Sequence, residues 1–318
     1  MSHALEIRNL YKTYDNGFNA LQNIDLKVSE GDFFALLGPN GAGKSTILGI
    51  VSSLTKKTQG QVKVFGYDLD TNLSLAKRCM GVVPQEFNLN QFELVSDIIL
   101  QQAGYYGIPH SQAMHRSEQL LEQLGLWDKR NTACRQLSGG MKRRVMIARS
   151  LIHQPRMLIL DEPTAGVDIE LRRSMWKFLT NINRQGTTII LTTHYLEEAE
   201  QLCRNIAIID MGKVIQNTNM QTLLRTLNRE TFLLDLTEPH VAVEGLADFG
   251  GRQINGQQLE IHLTQEQDLN MLFDELSRQG IRVNSMRNKA NRLEELFLTM
   301  TSKVSSQTRA PLQGITAT

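Results

Sequence analysis

One short motif determines most of what this chain can fold into. From Gly38 to Ser45 the sequence matches Gly-x-x-x-x-Gly-Lys-Ser, a loop whose glycines let backbone N–H groups turn toward phosphate oxygens. The apolar run Phe33–Leu37 precedes it, and residues 44–54 follow with the apolar spacing of a helix. A buried parallel strand, a glycine loop and a helix in this order predict an α/β fold. The alternative, a glycine-rich turn with a chance lysine, carries little weight in this context.

The loop also predicts a phosphate site with a metal ion beside it. The start of the following helix adds partial positive charge, Lys44 is able to reach the β- and γ-phosphates, and the Ser45 hydroxyl is able to hold Mg²⁺. The predicted phosphate-binding residues are Gly38, Pro39, Asn40, Gly41, Ala42, Gly43, Lys44, Ser45 and Thr46.

Two adjacent carboxylates follow a second apolar run. Residues 157–160 are apolar and lead directly into Asp161 and Glu162, which places both acids where open α/β sheets bind ligands. We expect Asp161 to bind Mg²⁺ through water. Glu162 points elsewhere along the alternating strand, and we expect it to act as general base on an attacking water. The alternative is a pair of acids that keeps a strand end soluble.

A second glycine motif lies between these two features. Residues 137–141 read Leu-Ser-Gly-Gly-Met, and Ser138 has the properties of a helix N-cap, because a helical pattern continues from it to Ile152. The exposed N–H groups of such a helix start form an anion site that faces outward. A phosphate of the same chain need not lie near it.

Together these motifs resemble those of the ATP-binding subunits of ABC transporters, where Leu-Ser-Gly-Gly separates the phosphate loop from the carboxylates. The resemblance implies that Ser138, Gly139 and Gly140 close over ATP held by the opposite subunit. Two copies would then meet head to tail across a two-fold axis and sandwich two nucleotides. Met141 stands where glutamine is commonest in the family, and methionine is familiar among its exporters.

The same resemblance implies roles for single residues. Gln85 matches the glutamine that contacts Mg²⁺ and the attacking water, and His194 matches the histidine that contacts the γ-phosphate. Asp168 ends a stretch that crosses the dimer interface in the family. Tyr14 matches the aromatic residue that stacks on adenine, and Tyr11 competes for that role.

The implied architecture is an α/β phosphate-loop ABC ATPase core with an antiparallel β subdomain, an inserted helical subdomain and a small C-terminal α+β appendage. We expect the nucleotide-binding domain over 3–224, with its helical part at about 86–156, the appendage over 225–302 and a disordered tail over 303–318. Strands are predicted at 5–7, 21–28, 187–191, 206–209, 213–215, 231–236, 259–263 and 281–285, and helices at 95–106, 111–124, 138–152, 169–184, 266–279 and 292–301.

Composition excludes several classes of function. A net charge of +1 argues against binding nucleic acid by bulk electrostatics, so no nucleic-acid partner is expected. The basic run at residues 142–144 is interpreted as a solvated helix face. Three widely separated cysteines suit a reducing cytosol and predict no disulfide framework. Apolar runs fall far short of the roughly 20 residues that span a bilayer, so a transport pore would be another polypeptide.

The leading hypothesis is therefore an ATPase subunit of a type-2 ABC exporter, of the multidrug and nodulation-factor branch. It would work with a separate polytopic permease at the cytoplasmic face of the plasma membrane, with ATP and Mg²⁺. The alternatives are a soluble ABC ATPase that acts on ribosomes or DNA, an importer ATPase and a phosphate-loop kinase. The kinase does not explain residues 137–140.

Overall fold

The computed structural model describes residues 2–225, 229–240, 242–264, 269–288 and 293. The chain divides into two compact units, Met1–Met220 and Gln221–Thr318. Apart from Leu293, the helix predicted at 292–301 lies outside the described residues, as does the tail predicted at 303–318.

The first unit alternates strands with helices along most of its length. Its strands are β1 (His3–Thr13), β2 (Asn19–Ser29), β3 (Phe33–Leu37), β4 (Gln59–Val64), β5 (Tyr67–Asp68), β6 (Met80–Val83), β7 (Met157–Asp161), β8 (Thr188–Thr192), β9 (Asn205–Asp210) and β10 (Lys213–Asn219). Its helices are α1 (Lys44–Val51), α2 (Leu73–Arg78), α3 (Val95–Tyr105), α4 (His110–Gln123), α5 (Gly139–Leu151), α6 (Ile169–Arg184) and α7 (Leu196–Leu202), and α8 (Met220–Arg225) runs across the boundary between the units.

A six-stranded sheet with the order β10-β9-β3-β8-β7-β6 positions the site. Strands β3, β6, β7, β8 and β9 are parallel, and β10 is antiparallel to β9. All five residues of β3 and of β8 are buried, as expected for strands covered by helices on both faces. Because β3, β8 and β7 are neighbours, their carboxyl ends bring the phosphate loop and the two acids to one edge of the sheet.

A four-stranded antiparallel sheet of order β2-β1-β4-β5 forms a second layer. A continuous apolar cluster joins it to α1 and to the central sheet, with Ile7 and Ile24 on one side and Ile159 and Ile190 on the other. The antiparallel region predicted from residues 3–32 is confirmed. Strands β4 and β5 of the same sheet were not predicted, because polar residues interrupt their apolar pattern.

Helices α3, α4 and α5 form the insertion between β6 and β7, and each packs against the other two. Helix α5 also packs against β6, where a side chain at Gly81 would overlap with the carbonyl oxygen of Ser150. The helical region expected at about 86–156 thus contains these three helices. Among the described residues no helix is long and apolar enough to cross a bilayer.

The second unit is a small α+β unit. It contains β11 (Arg229–Leu236), β12 (Arg252–Asn255), β13 (Gln258–Thr264), α9 (Leu269–Arg278) and β14 (Val283–Asn288). The strands form an antiparallel sheet of order β12-β13-β11-β14. Alternate apolar residues of β11 and β13, including Leu234 and Ile261, pack with Leu272 and Leu276 of α9. The polar strand β12 was not predicted, whereas the other three strands were. The fold class predicted for the whole chain is confirmed.

Candidate active site

The phosphate loop is held in place by neighbouring backbone. A side chain at Gly38 would overlap with the carbonyl oxygen of Ile209 at the end of the adjacent strand. Gly43 has a φ angle of 109° immediately before α1, and a Cβ there would lie 2.9 Å from the carbonyl oxygen of Ala20. Gly41 also has positive φ, at 81°. L side chains rarely adopt such angles. Glycine is therefore required for space at Gly38, for conformation at Gly41 and for both at Gly43.

Lys44 begins α1 and turns its ammonium group back to the loop. The side-chain Nζ donates hydrogen bonds to the carbonyl oxygens of Gly38 at 2.7 Å and Pro39 at 3.0 Å. The residue is buried, with 9% of its surface exposed. Burial lowers the pKa of Lys44, while the nearby charges of Glu162 and Asp161 act in the opposite direction. The loop therefore contains a largely desolvated cation where phosphate oxygens are expected.

Of the remaining loop residues, Ala42 is buried and the other four lie on the open side. Asn40 and Ser45 are exposed, and Pro39 and Thr46 are half-buried. Ser45 follows Lys44 in the first turn of α1, so its hydroxyl lies at the helix start and is accessible from solvent.

Asp161 and Glu162 are fixed by the end of β8. The Thr192 hydroxyl donates to Oδ1 of Asp161. The Glu162 N–H donates to the Thr192 carbonyl oxygen at 3.0 Å and approaches the Thr192 hydroxyl oxygen at 3.1 Å. Glu162 has a φ of 49°, in the left-handed region that non-glycine residues seldom adopt. Thr192, which the sequence analysis did not single out, therefore orients both acids.

Gln85 and His194 converge on one oxygen of Glu162. The Gln85 side-chain Nε2 donates to Oε2 of Glu162 at 2.9 Å, and Nδ1 of His194 lies 3.3 Å from the same oxygen. The Glu162 side chain is 13% exposed and that of His194 is 51% exposed. The three predicted catalytic residues, Gln85, Glu162 and His194, therefore form one polar cluster at the edge of the sheet.

The second glycine motif begins α5. Ser138 is the N-cap, and its hydroxyl accepts a hydrogen bond from the Met141 N–H at 3.3 Å. A side chain at Gly140 would overlap with the side chain of Leu171 in α6. At Gly139 the nearest atom to an added Cβ would be Cζ of Phe87, at 3.9 Å. Gly140 thus allows α5 to pack closely against α6, whereas the space beside Gly139 is open.

Asp168 and Tyr14 occupy two further positions. Asp168 is the N-cap of α6 and accepts a hydrogen bond from the Leu171 N–H at 2.8 Å. Tyr14 lies in the turn between β1 and β2, with 38% of its surface exposed. The Lys12 ammonium lies 4.7 Å from the centre of the Tyr14 ring. Tyr11 lies within β1 and is half-buried, so Tyr14 is the more accessible of the two tyrosines.

The prediction of a solvated basic face at residues 142–144 is wrong for Arg143. This residue is 3% exposed, and its guanidinium donates to the carbonyl oxygens of Pro84 and Gln85, each at 2.6 Å. No pattern near Arg143 indicates these contacts, because the acceptors lie on a distant segment of the chain.

Glu198 of α7 is a further buried residue, and no motif in the sequence marks it. Its Oε1 accepts hydrogen bonds from the Thr164 hydroxyl and the Trp176 indole N–H, both at 2.9 Å. Burial raises the pKa of this fully buried carboxyl. Glu198 thereby ties the segment after Glu162 to α6 and α7.

A glycine loop with a buried lysine after β3, together with two carboxylates at the end of the parallel strand β7 in the same sheet, defines a phosphate-loop nucleotide hydrolase. Comparison with known proteins narrows this class. The model of the family described as ABC transporter matches residues 21–165. The linearmycin resistance ATP-binding protein LnrL of Bacillus subtilis is 33% identical over 308 residues, which cover 94% of this chain and 98% of that protein.

A second relative and a solved structure support the same family. The Nod factor export ATP-binding protein I of Burkholderia thailandensis is 34% identical over 301 residues, which cover 94% of this chain and 97% of that protein. Among solved structures, the dimeric post-hydrolysis state of the ATP-binding cassette MJ0796, bound to ADP and Pi, is 29% identical with a TM-score of 0.63. That match covers 68% of this chain and 98% of the cassette. The chain belongs to the ABC transporter family, and it is an ATP-binding protein that hydrolyses ATP.

Proposed function

We propose that this chain powers an exporter whose pore is a separate polytopic membrane protein, and that it works at the cytoplasmic face of the plasma membrane. The observation that carries the proposal is similarity along nearly the whole chain to ATP-binding proteins named for drug resistance and Nod factor export. Each of those alignments covers 94% of this chain and therefore extends beyond the ATPase core.

We assign the phosphates of ATP to the loop 38–46. Lys44 exchanges its two carbonyl partners for β- and γ-phosphate oxygens, which relieves the cost of a buried cation without an anionic partner. Tyr14 stacks on adenine from the turn between β1 and β2.

The side chains around Glu162 fit a magnesium site. The Ser45 hydroxyl and the Gln85 amide oxygen would supply hard oxygen ligands of the kind that Mg²⁺ prefers, and the Asp161 carboxylate would bind the ion through water. When bound, Mg²⁺ neutralises charge that develops on the β- and γ-phosphate oxygens. Thr192 holds Asp161 in place through its hydrogen bond to Oδ1.

Glu162 is the general base of the reaction. Its carboxylate takes a proton from a water molecule while the water oxygen bonds to the γ-phosphorus. The bond from that phosphorus to the bridging oxygen breaks, so the products are ADP and inorganic phosphate. The Gln85 amide donates to Oε2 of Glu162, and Nδ1 of His194 lies 3.3 Å from the same oxygen. These contacts hold the base in a fixed orientation, and His194 also contacts the γ-phosphate.

Ser138, Gly139 and Gly140 serve the ATP bound by the other copy in a head-to-tail dimer, and Asp168 lies at the interface. The open space beside Gly139 and the N–H groups at the start of α5 suit a phosphate that arrives from outside the chain. ATP binding closes the dimer and hydrolysis reopens it. This cycle shifts the conformational equilibrium of the permease.

The role of Glu162 is tested with Glu162→Gln. We expect this variant to bind ATP and to elute from size-exclusion chromatography as a dimer when MgATP is present. We expect its turnover to fall by about 100-fold or more, because proton transfer by a positioned base contributes about 10²–10⁴-fold. Wild-type turnover by this variant would reject Glu162 as the base.

The shared site is tested by complementation between two inactive variants. Lys44→Ala disables the phosphate loop, and Ser138→Arg disables the second glycine motif. If each site uses both chains, a mixed dimer contains one site built from two intact halves. Mixing should then restore hydrolysis. If each chain forms its own complete site, mixing restores nothing, and the head-to-tail arrangement is wrong.

The membrane partner is tested by affinity purification of the tagged chain from gently solubilised native membranes. Recovery of a polytopic membrane protein in roughly equal amount supports the exporter assignment. Recovery from the soluble fraction with ribosomal or DNA-repair proteins would favour the soluble ABC ATPase instead.

A further inference from the structure

Arg143 links two segments that the proposed mechanism treats separately. It lies on α5, the helix that begins at Ser138, and its side chain crosses to the end of β6. There Nη1 donates to the carbonyl oxygen of Pro84 and Nη2 to that of Gln85, each at 2.6 Å. One guanidinium thus joins the second glycine motif to the backbone of the residue that donates to Glu162.

The environment of Arg143 makes these bonds important. The residue is 3% exposed, and its guanidinium lies 5.0 Å from the centre of the Phe87 ring. Burial lowers the pKa of Arg143, and the charges of Asp161 and Glu162 act in the opposite direction. A buried cation requires fixed hydrogen-bond partners, so α5 and the Gln85 backbone cannot separate without leaving this charge unsatisfied.

The neighbouring Arg144 provides a comparison. Its Nη1 donates to the Leu124 carbonyl oxygen at 2.6 Å, which lies at the end of α4 and within the same helical region. Burial lowers the pKa of Arg144 as well. The two arginines therefore have similar chemistry, but Arg143 spans from the helical region to the edge of the central sheet and Arg144 does not.

We propose that Arg143 is a positioning residue that couples the two ATP sites of the dimer, by fixing the Gln85 backbone to the helix that covers the partner's ATP. This inference rests on the proposed function, because it requires Ser138 to act on the opposite nucleotide. When α5 moves onto that nucleotide, Arg143 moves the Gln85 backbone with it and keeps the Gln85 amide against Glu162, where it already donates at 2.9 Å. The position of Gln85 in one site thereby depends on the position of the helix that covers the other site.

The coupling is tested with the purified full chain at saturating MgATP. Arg143→Met keeps an unbranched side chain and removes both hydrogen bonds, and Arg144→Met is the matched control. We expect kcat to fall about tenfold for Arg143→Met, because the variant loses both hydrogen bonds that position the Gln85 backbone. A tenfold loss corresponds to about 1.4 kcal/mol. The affinity for ATP should stay within about twofold. Arg144→Met should keep kcat within about threefold of the wild type.

A double-mutant cycle with Gln85→Ala distinguishes an effect of Arg143 that acts through Gln85 from an unspecific loss of activity. If Arg143 acts through Gln85, Arg143→Met adds little to the loss already caused by Gln85→Ala. If the two losses multiply, Arg143 acts by another route and the proposal is wrong. Wild-type kcat for Arg143→Met would also overturn it.

Two further measurements complete the test. Arg143→Lys keeps the charge and is able to bond one carbonyl at a time, because lysine lacks the planar fork of arginine. Should Arg143→Met fail to fold, kcat for Arg143→Lys must lie several-fold below the wild type, or the proposal is rejected. The variant Glu162→Gln retains Arg143. If it fails to dimerise with ATP, the loss of Arg143 is not the cause, and the proposed function is rejected instead.

Discussion

Helices α1 and α5 each begin at a glycine-rich motif, and the two motifs differ in what surrounds their backbone. Before α1, the backbone is enclosed by its own chain, since side chains at Gly38 and Gly43 would meet the carbonyl oxygens of Ile209 and Ala20. Before α5, Ser138 caps the helix with its own side chain, and an added Cβ at Gly139 meets its nearest atom at 3.9 Å. Gly38 is therefore required by the fold, whereas the fold alone does not explain Gly139.

This difference shows where a glycine serves folding and where it serves another molecule. The phosphate loop is shaped before any nucleotide arrives, because β9 and the start of β2 hold it. The start of α5 is equally ordered but is left open on one side. In the proposed dimer, that open side is filled by ATP from the partner.

The largest effect is expected for Gly38→Ala. The new methyl group would overlap with the Ile209 carbonyl oxygen, and overpacking of this kind costs about 1–3 kcal/mol. We expect the free energy of unfolding to fall by that amount and ATP binding to be lost. Urea denaturation and equilibrium binding of a fluorescent ATP analogue measure the two effects. A variant with wild-type stability and binding would show that the loop is not held as described.

Gly139→Ala should give the opposite pattern. The added methyl group has space within the chain, and alanine favours a helix over glycine by up to about 1 kcal/mol. We expect stability to be equal or slightly higher. Turnover should fall about tenfold or more, because the methyl group would contact the partner's ATP, and 1.4 kcal/mol of lost transition-state stabilisation is tenfold. Unchanged turnover would mean that the open space beside Gly139 receives no nucleotide.

A smaller effect concerns the cation inside the loop. Burial lowers the pKa of Lys44 in the folded chain. As pH rises toward the ordinary lysine pKa, the folded chain therefore loses this proton before the unfolded chain does. Stability due to this group therefore increases with pH. Urea denaturation from pH 7 to about 10 should show wild-type stability rising relative to Lys44→Met, since the ordinary pKa is about 10.4. A difference that is independent of pH would show that the ammonium is well solvated.

The sequence predicted the parts of the site that depend on local pattern. The apolar runs that became β3, β7 and β8 located the phosphate loop and both acids, and the Ser138 cap located the start of α5. The structure brings Gln85 and His194 together on Glu162, although their roles in hydrolysis are still a proposal. Motif order and spacing were sufficient to locate these parts, because each motif is short and lies at the end of one strand or helix.

The contacts that fix these motifs were not predictable, because they join segments that lie far apart in the sequence. Thr192 resembles any other strand residue until β8 is placed beside β7. Arg143 lies in a basic run typical of a solvated helix face, and its burial follows from packing of α5 against the end of β6. Glu198 belongs to an acidic stretch, and nothing near it in the sequence indicates a bond to Trp176.

The left-handed backbone at Glu162 has a consequence for how this protein can evolve. Non-glycine residues in that region cost about 1 kcal/mol or more, and the φ of 49° is compatible with glycine or asparagine. A random search for thermostable variants should therefore recover replacements at this position that fold better and no longer turn over ATP. With Glu162 as the proposed base, backbone strain favours replacement of this residue and catalysis requires that it be kept, so stability and activity are not both maximal there.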